Sequence, residues 1–424
     1  MNILNINNSL RGLIGIVTLI GICYLLSSNR KRISWNLVFT GLLIQLIFAI
    51  GVLKIPFVSS IFQTISNVFI ELLQFTKSGA IFLFGETLVS DYGFGATFAF
   101  QILPTIVFFS ALTSVLFYLG ILQKIVYFFA KIIKKMLNLS GAESLAAVGN
   151  IFLGQTESPL LIKPYIQRFT QSELLCLMGG GMATIAGGVF IAFIGMLGEE
   201  YAPHLLAASV MSAPAAIVAC KILLPETSEP NQEMKISNET LGSNIFDAIT
   251  IGTVQGIKLA VNVGGMLLVF VAFIALINAL LNLLGSVTGT NEFLANSSDI
   301  YDKLSLELIF GYLFAPIAWL IGVPLQDILL TGQLLGEKTV ANEFIAYESL
   351  GKMINNNLLT EKSRIMATYF LCGFANFLSI GIQIGGISVL APNKRKDLAK
   401  LGIKALIAGT VASLLTAVIV GTLI

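Results

Sequence analysis

The sequence predicts an all-α polytopic membrane protein, first of all because of its composition. Of the 424 residues, 56% are hydrophobic and only 11% are charged, whereas roughly 25% are charged in an ordinary soluble domain. The mean hydropathy is +0.87. A water-soluble globular enzyme would need far more charge to cover its surface. The formal net charge of +2 is also too small to indicate a nucleic-acid partner.

Long apolar stretches are the second reason, because a membrane-spanning helix needs about 20 mostly apolar residues. Eight stretches predict such helices: 10–27, 35–54, 97–120, 172–198, 203–223, 252–284, 364–390 and 401–423. The stretch 56–85 differs, since Gln63, Asn67, Glu71 and Gln74 are interleaved with apolar residues. We expect it to form an amphipathic helix that lies along the membrane interface.

Two further stretches, 122–169 and 304–350, are apolar but broken by polar residues. If each enters and leaves on one side, eight crossings place the basic clusters at 30–32, 124–135 and 394–396 together in the cytoplasm, as the positive-inside rule requires. A full crossing by either stretch would separate the first cluster from the last. The charges therefore predict two re-entrant hairpins, with both termini on the outer, periplasmic side.

The two halves of the chain echo each other. GNIFLGQTESPLLIKP (149–164) precedes a Thr-initiated helix at 170–188, and LLGEKTVANEFIAY (334–347) precedes a second one at 360–386. Each helix carries a polar interruption, Ala183-Thr184 in the first and Ala375-Asn376 in the second. An odd number of crossings separates the copies, so the second is inverted. Inverted repeats with broken helices and a midplane site are typical of secondary transporters.

Glu157 and Glu343 occupy the tips of the predicted hairpins. A carboxylate near the bilayer centre costs at least ~2.5–3.5 kcal/mol, so it needs a partner or a function. Structural hydrogen bonding alone is the alternative, but recurrence at both tips favours a site. The neighbouring polar residues are neutral and suit an uncharged, hydroxyl-rich solute better than an anion: Asn150, Gln155, Thr156, Thr184, Asn376 and Ser379. We expect interfacial or structural roles for Asp91, Asp247, Lys258 and Asp327.

Three motifs make a family resemblance specific: GQTESP with Asn150 upstream, KTVANEFIAY, and CGFAN followed by Ser379. Together they resemble the bacterial branch of the concentrative nucleoside transporter family over essentially the whole chain. The resemblance implies a homotrimer of single membrane domains (1–424) that works as an elevator. The implied division is N-terminal helices and interfacial helix (1–96), scaffold helices (97–120 and 245–284), a first repeat with hairpin 1 (122–223) and a second with hairpin 2 (304–424).

The resemblance also implies a binding site. A first group of residues would face the nucleobase: Gln155, Thr156, Glu157 and Val189. Gly154, in the same hairpin tip, would also belong to the substrate site. A second group would hold the ribose, with Glu343, Asn376 and Ser379 on its hydroxyls and Phe374 packed against the nucleoside. The implied Na⁺ ligands are the side chains of Asn150 and Thr184 and the carbonyls of Leu153, Thr184 and Ile185. The bacterial pattern has Ser in place of Thr184, and threonine retains the hydroxyl oxygen.

The resemblance thus implies a symporter that imports a uridine-like nucleoside across the bacterial cytoplasmic membrane, with Na⁺ as coupling ion and no organic cofactor. Proton coupling, known in other branches of the family, is the main alternative. A passive pore would need a continuous polar path, whereas the polar residues here gather at two tips. A membrane enzyme is disfavoured because the chain has no HExxH, GxSxG or P-loop motif.

Overall fold

The computed structural model describes residues 8–89, 98–228, 232–234, 242–298 and 300–424, and over these ranges the chain is helical without a β-strand. The predicted all-α fold is confirmed, while Asp91 lies outside the described residues. The α-helices are α1 (Asn8–Leu25), α2 (Trp35–Lys54), α3 (Pro56–Phe84), α4 (Phe98–Tyr118), α5 (Ile121–Leu137), α6 (Gly141–Phe152), α7 (Ser158–Leu161), α8 (Lys163–Ile166), α9 (Gln171–Ala183), α10 (Gly187–Leu197), α11 (Ala202–Leu223), α12 (Ile245–Val287), α13 (Thr290–Ser297), α14 (Leu306–Leu320), α15 (Ile328–Val340), α16 (Glu343–Asn355), α17 (Glu361–Leu371), α18 (Phe377–Leu390) and α19 (Arg395–Leu423).

Within the described ranges, 7 helical segments are long and apolar enough to cross a membrane. They are Trp35–Lys54, Pro56–Phe84, Ala99–Tyr118, Gln171–Leu197, Glu199–Leu223, Ile245–Val287 and Pro392–Leu423. Six of them overlap predicted spans, and α1 and α18 are shorter apolar helices. The remaining one is α3, whose 29 residues also suit a crossing, so its interfacial position stays a prediction.

The two interrupted stretches each divide into a separate helix and a narrower hairpin. α5 stands apart because Asn138, at φ 52°, takes the left-handed conformation that ends a helix. The hairpin proper then runs from α6 through α8. In the second half, α14 ends before Gly322, which has φ 94°, and the hairpin is made by α15 and α16.

The helices α4–α11 and α12–α19 follow one plan. Each series has a long helix, a separate helix, a hairpin, a broken helix and a final long helix. The long helices α4 and α12 pack on each other, α9 packs on α19, and α17 packs on α11. This reciprocal packing interleaves the repeats, so the hairpins and broken helices share one core with α11 and α19.

A buried carboxylate attaches the beginning of each hairpin to its broken helix. In the first repeat, Ser140 Oγ donates to Glu173 Oε1 (2.5 Å), and the Thr170 amide donates to Glu173 Oε2 (3.0 Å). In the second, Asp327 Oδ2 accepts from the Thr360 amide (3.0 Å) and from Ser363 Oγ (2.5 Å). Asp327 thus has the structural role that we expected. These bonds join each hairpin and half-helix at the end remote from the hairpin tip.

Candidate functional site

The first hairpin tip is a short non-helical segment between α6 and α7. Leu153 follows the last residue of α6 in an extended conformation. Glu157 then turns back, and its Oε2 accepts the amide of Gly154 (3.2 Å). Pro159 stands near the start of α7, where its missing N–H leaves no helical bond unmade. The tip therefore presents a carboxylate and backbone groups at the end of a broken helix.

The second hairpin tip begins after Val340, the last residue of α15. Asn342 caps α16 by accepting the amide of Ile345 (3.0 Å), and Glu343 is the first residue of that helix. Asn376 Nδ2 donates to Glu343 Oε2 (2.6 Å). Asn376 also caps α18, since its Oδ1 accepts the Ser379 amide (2.8 Å). One asparagine thus starts α18 and orients the tip carboxylate.

Side-chain amides connect the two repeats at the level of the tips. Gln155 Nε2 lies 3.4 Å from Ser379 Oγ, and Gln383 Nε2 donates to Gln155 Oε1 (3.0 Å). Gln383 Nε2 also lies 2.9 Å from the carbonyl oxygen of Met178 in α9. Gln383 was not among the residues predicted for the site, although its position one turn after Ser379 places both on one face of α18.

A cavity of about 460 Å³ lies between the tips and the long helices, within the size range of small-molecule sites. Every residue assigned to the substrate by the sequence analysis lines it: Gly154, Gln155, Thr156, Glu157, Val189, Glu343, Phe374, Asn376 and Ser379. A more open cavity of about 620 Å³ lies between α12 and residues 300–307, but none of the predicted site residues lines it.

The opposite wall of the 460 Å³ cavity belongs to α12 and was not predicted. Six residues of α12 line it: Gln255, Lys258, Leu259, Asn262, Val263 and Met266. Their spacing of three and four puts them on one face of the helix. Three polar side chains in that register within an apolar helix were the available signal. Lys258, for which we expected an interfacial or structural role, is among the residues that line this cavity.

The predicted sodium ligands lie beside the first hairpin tip, where α6 packs on α9. Asn150, Leu153, Thr184 and Ile185 are each at most 2% exposed. Asn150 Nδ2 donates to the carbonyl of Leu177 (3.3 Å), and Thr184 Oγ1 donates to that of Gly180 (2.9 Å). Asn150 Oδ1 is buried and has no hydrogen-bond partner among the described residues. An oxygen left in this condition fits a cation ligand, since a buried polar atom is costly to leave unpaired.

Three family models match the chain. They describe the N-terminus of Na⁺-dependent nucleoside transporters (residues 14–87), a nucleoside-recognition gate (99–200) and the C-terminus of Na⁺-dependent nucleoside transporters (204–421). An uncharacterized transporter of Haemophilus influenzae is 41% identical over 420 residues, 98% of each chain. Rat sodium/nucleoside cotransporter 1 is 37% identical over 96% of this chain and 64% of its own length.

The chain is also similar to a solved structure, both in sequence and in fold. CNTnw in an inward-facing, substrate-bound state superposes with a TM-score of 0.89 and 39% identity, over 98% of this chain and 97% of CNTnw. At this identity and coverage, the likeness extends to the whole helical arrangement and is not limited to single motifs.

Proposed function

Because the chain belongs to the concentrative nucleoside transporter family, we propose that it imports nucleosides across the bacterial cytoplasmic membrane by symport with Na⁺. The cavity carries this proposal, since both hairpin tips and the second broken helix contribute polar side chains to one space of about 460 Å³, and the first broken helix contributes Ala186 and Val189. Apart from Glu157, Glu343 and Lys258, the polar side chains of the lining are neutral, which suits a solute that is rich in hydroxyls but uncharged. The chain is a transporter, not an enzyme.

The second tip supports recognition of the ribose. A carboxylate can accept hydrogen bonds from two vicinal hydroxyls, and such charge-assisted bonds are stronger than neutral ones. Asn376 holds Glu343 in place (2.6 Å), so the carboxylate is oriented before the substrate arrives. Phe374 is 8% exposed and lines the same cavity, where its ring offers an apolar surface to the nucleoside.

The first tip supports recognition of the base. Gln155 offers an amide that both donates and accepts, and Glu157 offers an acceptor, so the pair can read a base edge such as that of uracil. Val189, 2% exposed, lines the cavity beside them. These neighbours favour a planar group that is polar at its edge and apolar on its faces.

Sodium is the coupling ion that the first repeat fits. Asn150, whose Oδ1 is unpartnered, has its side-chain nitrogen next to Gly180 of α9, and the hydroxyl of Thr184 donates to the carbonyl of the same glycine. The helix α9 ends at Ala183, directly before Thr184, and the terminal carbonyls of a helix favour a cation. A bound Na⁺ would supply positive charge beside the Glu157 tip. The protein itself would hold hairpin 1 and the first half-helix at a fixed distance from each other around the ion.

An elevator in a homotrimer is the mechanism we propose for the site. The cavity has one wall from the hairpins and broken helices and another from α12, which packs on α4. A site divided in this way opens if the first group moves against the second. Apolar side chains remain exposed along α12, for example Val261 (65%) and Leu268 (71%), as suits a scaffold helix covered by lipid or by neighbouring protomers.

Uptake by proteoliposomes tests the function. We expect [³H]uridine to accumulate when external Na⁺ exceeds internal Na⁺ and to stop accumulating when choline replaces Na⁺. Uptake that ignores Na⁺ but follows an imposed pH gradient would contradict sodium coupling and favour the proton-coupled alternative. Equilibration without accumulation under either gradient would indicate a passive pore.

A further inference from the structure

Lys338, near the end of the first arm of hairpin 2, is a buried cation that the site described above does not use. The residue is 3% exposed. Its Nζ donates to the carbonyls of Phe370 (2.7 Å) and Cys372 (3.4 Å) and to Ser413 Oγ (3.2 Å). An ammonium has three N–H donors, and each finds an oxygen here. Among the residues described, Lys338 has no salt bridge, so neutral oxygens hold it.

Two of these oxygens belong to the end of a broken helix. Phe370 lies in the last turn of α17, and Cys372 is the residue that directly follows the helix. The last carbonyls of a helix lack intrahelical partners and carry the negative end of its dipole. Lys338 therefore places a positive charge next to the terminal carbonyls of α17, which a positive charge stabilises.

In the first repeat a different residue makes the corresponding link between hairpin and broken helix. Asn150 stands three positions before Leu153, which ends the first arm of hairpin 1, and Lys338 stands three positions before Ala341, which ends the first arm of hairpin 2. Asn150 bonds to the carbonyl of Leu177 in the middle of α9, and Lys338 bonds to that of Phe370 in the last turn of α17, so each residue joins the first arm of its hairpin to the broken helix of its own repeat. The element order therefore makes the two residues counterparts in the inverted repeat. Asn150 ends in an unpartnered oxygen, whereas Lys338 ends in a cation.

We propose that the Lys338 ammonium is the built-in counterpart of the coupling ion, occupying in the second repeat the place that the first repeat leaves for Na⁺. This inference rests on the proposed sodium symport and deepens it. One half of the molecule brings its own cation and the other takes one from solution. Each transport cycle then uses one dissolved Na⁺, because the second break is permanently neutralised.

The proposal makes a specific claim about charge. If Lys338 only fills space, a side chain of similar length without charge should replace it. If the Lys338 ammonium replaces a bound ion, then a dissolved cation should compensate for the loss of its charge, provided that the variant offers an oxygen ligand and room for that cation. Asparagine at 338 supplies both, since it is shorter than lysine and is the residue that the first repeat uses.

The experiment compares Lys338→Met, Lys338→Asn and wild type as full-length protein. Lys352→Met is the matched control, because Lys352 is exposed on α16 and pairs only with Glu348 (2.8 Å) among the described residues. Uridine uptake is measured in proteoliposomes at a saturating Na⁺ gradient. The melting temperature is measured in detergent with increasing NaCl at constant ionic strength, choline chloride being the balancing salt.

We expect Lys338→Met to lose uptake by tenfold or more and Lys352→Met to stay within twofold of wild type. We expect the melting temperature of Lys338→Asn to be lower than that of wild type in choline and to rise with Na⁺ by more than wild type does. Uptake by Lys338→Met within twofold of wild type would overturn the proposal. So would a Lys338→Asn variant that gains no additional Na⁺ response, or that stays unfolded in both salts.

Failure of the underlying function gives a different result. If wild-type uptake itself ignores Na⁺, sodium symport is wrong regardless of any variant. If wild type needs Na⁺ but Lys338→Asn responds to Na⁺ as wild type does, sodium symport stands and only the role proposed for Lys338 is wrong.

Discussion

The hydrogen bond from Asn376 to Glu343 joins the second hairpin tip to the second helix break. The 2.6 Å bond holds a carboxylate at the start of α16 in a fixed direction, and the same asparagine begins α18. Because Asn376 both bonds to Glu343 and caps α18, it fixes the hairpin tip and the helix break relative to each other. The ribose-binding function proposed for this carboxylate can therefore be tested with a substitution that barely changes its shape.

Replacing Glu343 with Gln should lower uridine uptake at subsaturating substrate by about 10- to 100-fold, because hydrogen bonds to a charged group contribute roughly 1.5–3 kcal/mol. The preference for uridine over 2′-deoxyuridine should shrink with it. Initial uptake rates in proteoliposomes measure both effects. Glu348→Gln is the control, since Glu348 is half-exposed and pairs with Lys352 on the surface, where ion pairs contribute little. An unchanged preference in Glu343→Gln would contradict ribose recognition by this residue.

Thr184 offers an equally sharp test of the sodium site. Thr184→Ser keeps the hydroxyl oxygen, whereas Thr184→Val keeps the shape and removes that oxygen. We expect the Na⁺ concentration for half-maximal uptake to rise severalfold or more in the valine variant and to stay near the wild-type value in the serine variant. Uptake against Na⁺ concentration is the measurement. Equal Na⁺ dependence in the two variants would show that the Thr184 hydroxyl is not a ligand.

The sequence predicted cavity residues of the hairpin tips and broken helices and missed those of α12. Gln155 and Asn376 interrupt helices, and an interruption at membrane depth is unusual enough to be noticed. Gln255, Lys258 and Asn262 do not interrupt α12, so only their register could have indicated that they share a face. Which neighbour that face meets depends on tertiary packing, and local sequence does not encode it.

At the scale of elements, the two helix breaks contact each other. Gly373, which lies in the break after α17, has φ 104° and packs against the end of α9. A Cβ there would lie 2.6 Å from the carbonyl oxygen of Ala183. Both the backbone conformation and the space therefore require glycine at this position.

Gly373→Ala should destabilise the protein by about 1–3 kcal/mol or more, because it combines a strained backbone with a clash against a helix end. A lower melting temperature in detergent measures the effect. Gly385→Ala is the control, since a Cβ at that helical glycine meets no atom within 4 Å and alanine favours helix. A melting temperature unchanged in both variants would mean that the breaks are not packed as described.

Element boundaries were predictable where capping residues mark them and not elsewhere. Thr170 with Glu173 forms a capping box at the start of α9, a pattern that the sequence displays directly. The separation of α5 from hairpin 1 depends on Asn138 taking a left-handed conformation, which asparagine adopts only sometimes. The predicted hairpin of 122–169 was therefore too wide at its beginning.

At the scale of the whole molecule, the two series of helices, α4–α11 and α12–α19, are alike in their elements and differ in their charges. Both halves place a carboxylate at the tip and a polar side chain three residues before the end of the first hairpin arm. Only the second half carries its own buried cation there. The repeat motif predicted the shared architecture, while the difference between Asn150 and Lys338 acquires meaning only from the contacts that the folded chain gives them.

This asymmetry predicts the ion stoichiometry, which a flux-balance experiment can measure. With the membrane potential clamped at zero, a tenfold Na⁺ gradient supplies about 1.4 kcal/mol per ion. Coupling to one Na⁺ should therefore balance an opposing uridine gradient of about tenfold, and coupling to two Na⁺ would balance one of about a hundredfold. Proteoliposomes preloaded with a series of uridine concentrations give the gradient at which net flux reverses, and Glu343→Gln vesicles serve as the leak control.

Because Lys338 already neutralises the second break, we expect reversal near a tenfold uridine gradient. Reversal near a hundredfold would mean that a second dissolved ion takes part and that the Lys338 ammonium does not stand in for it.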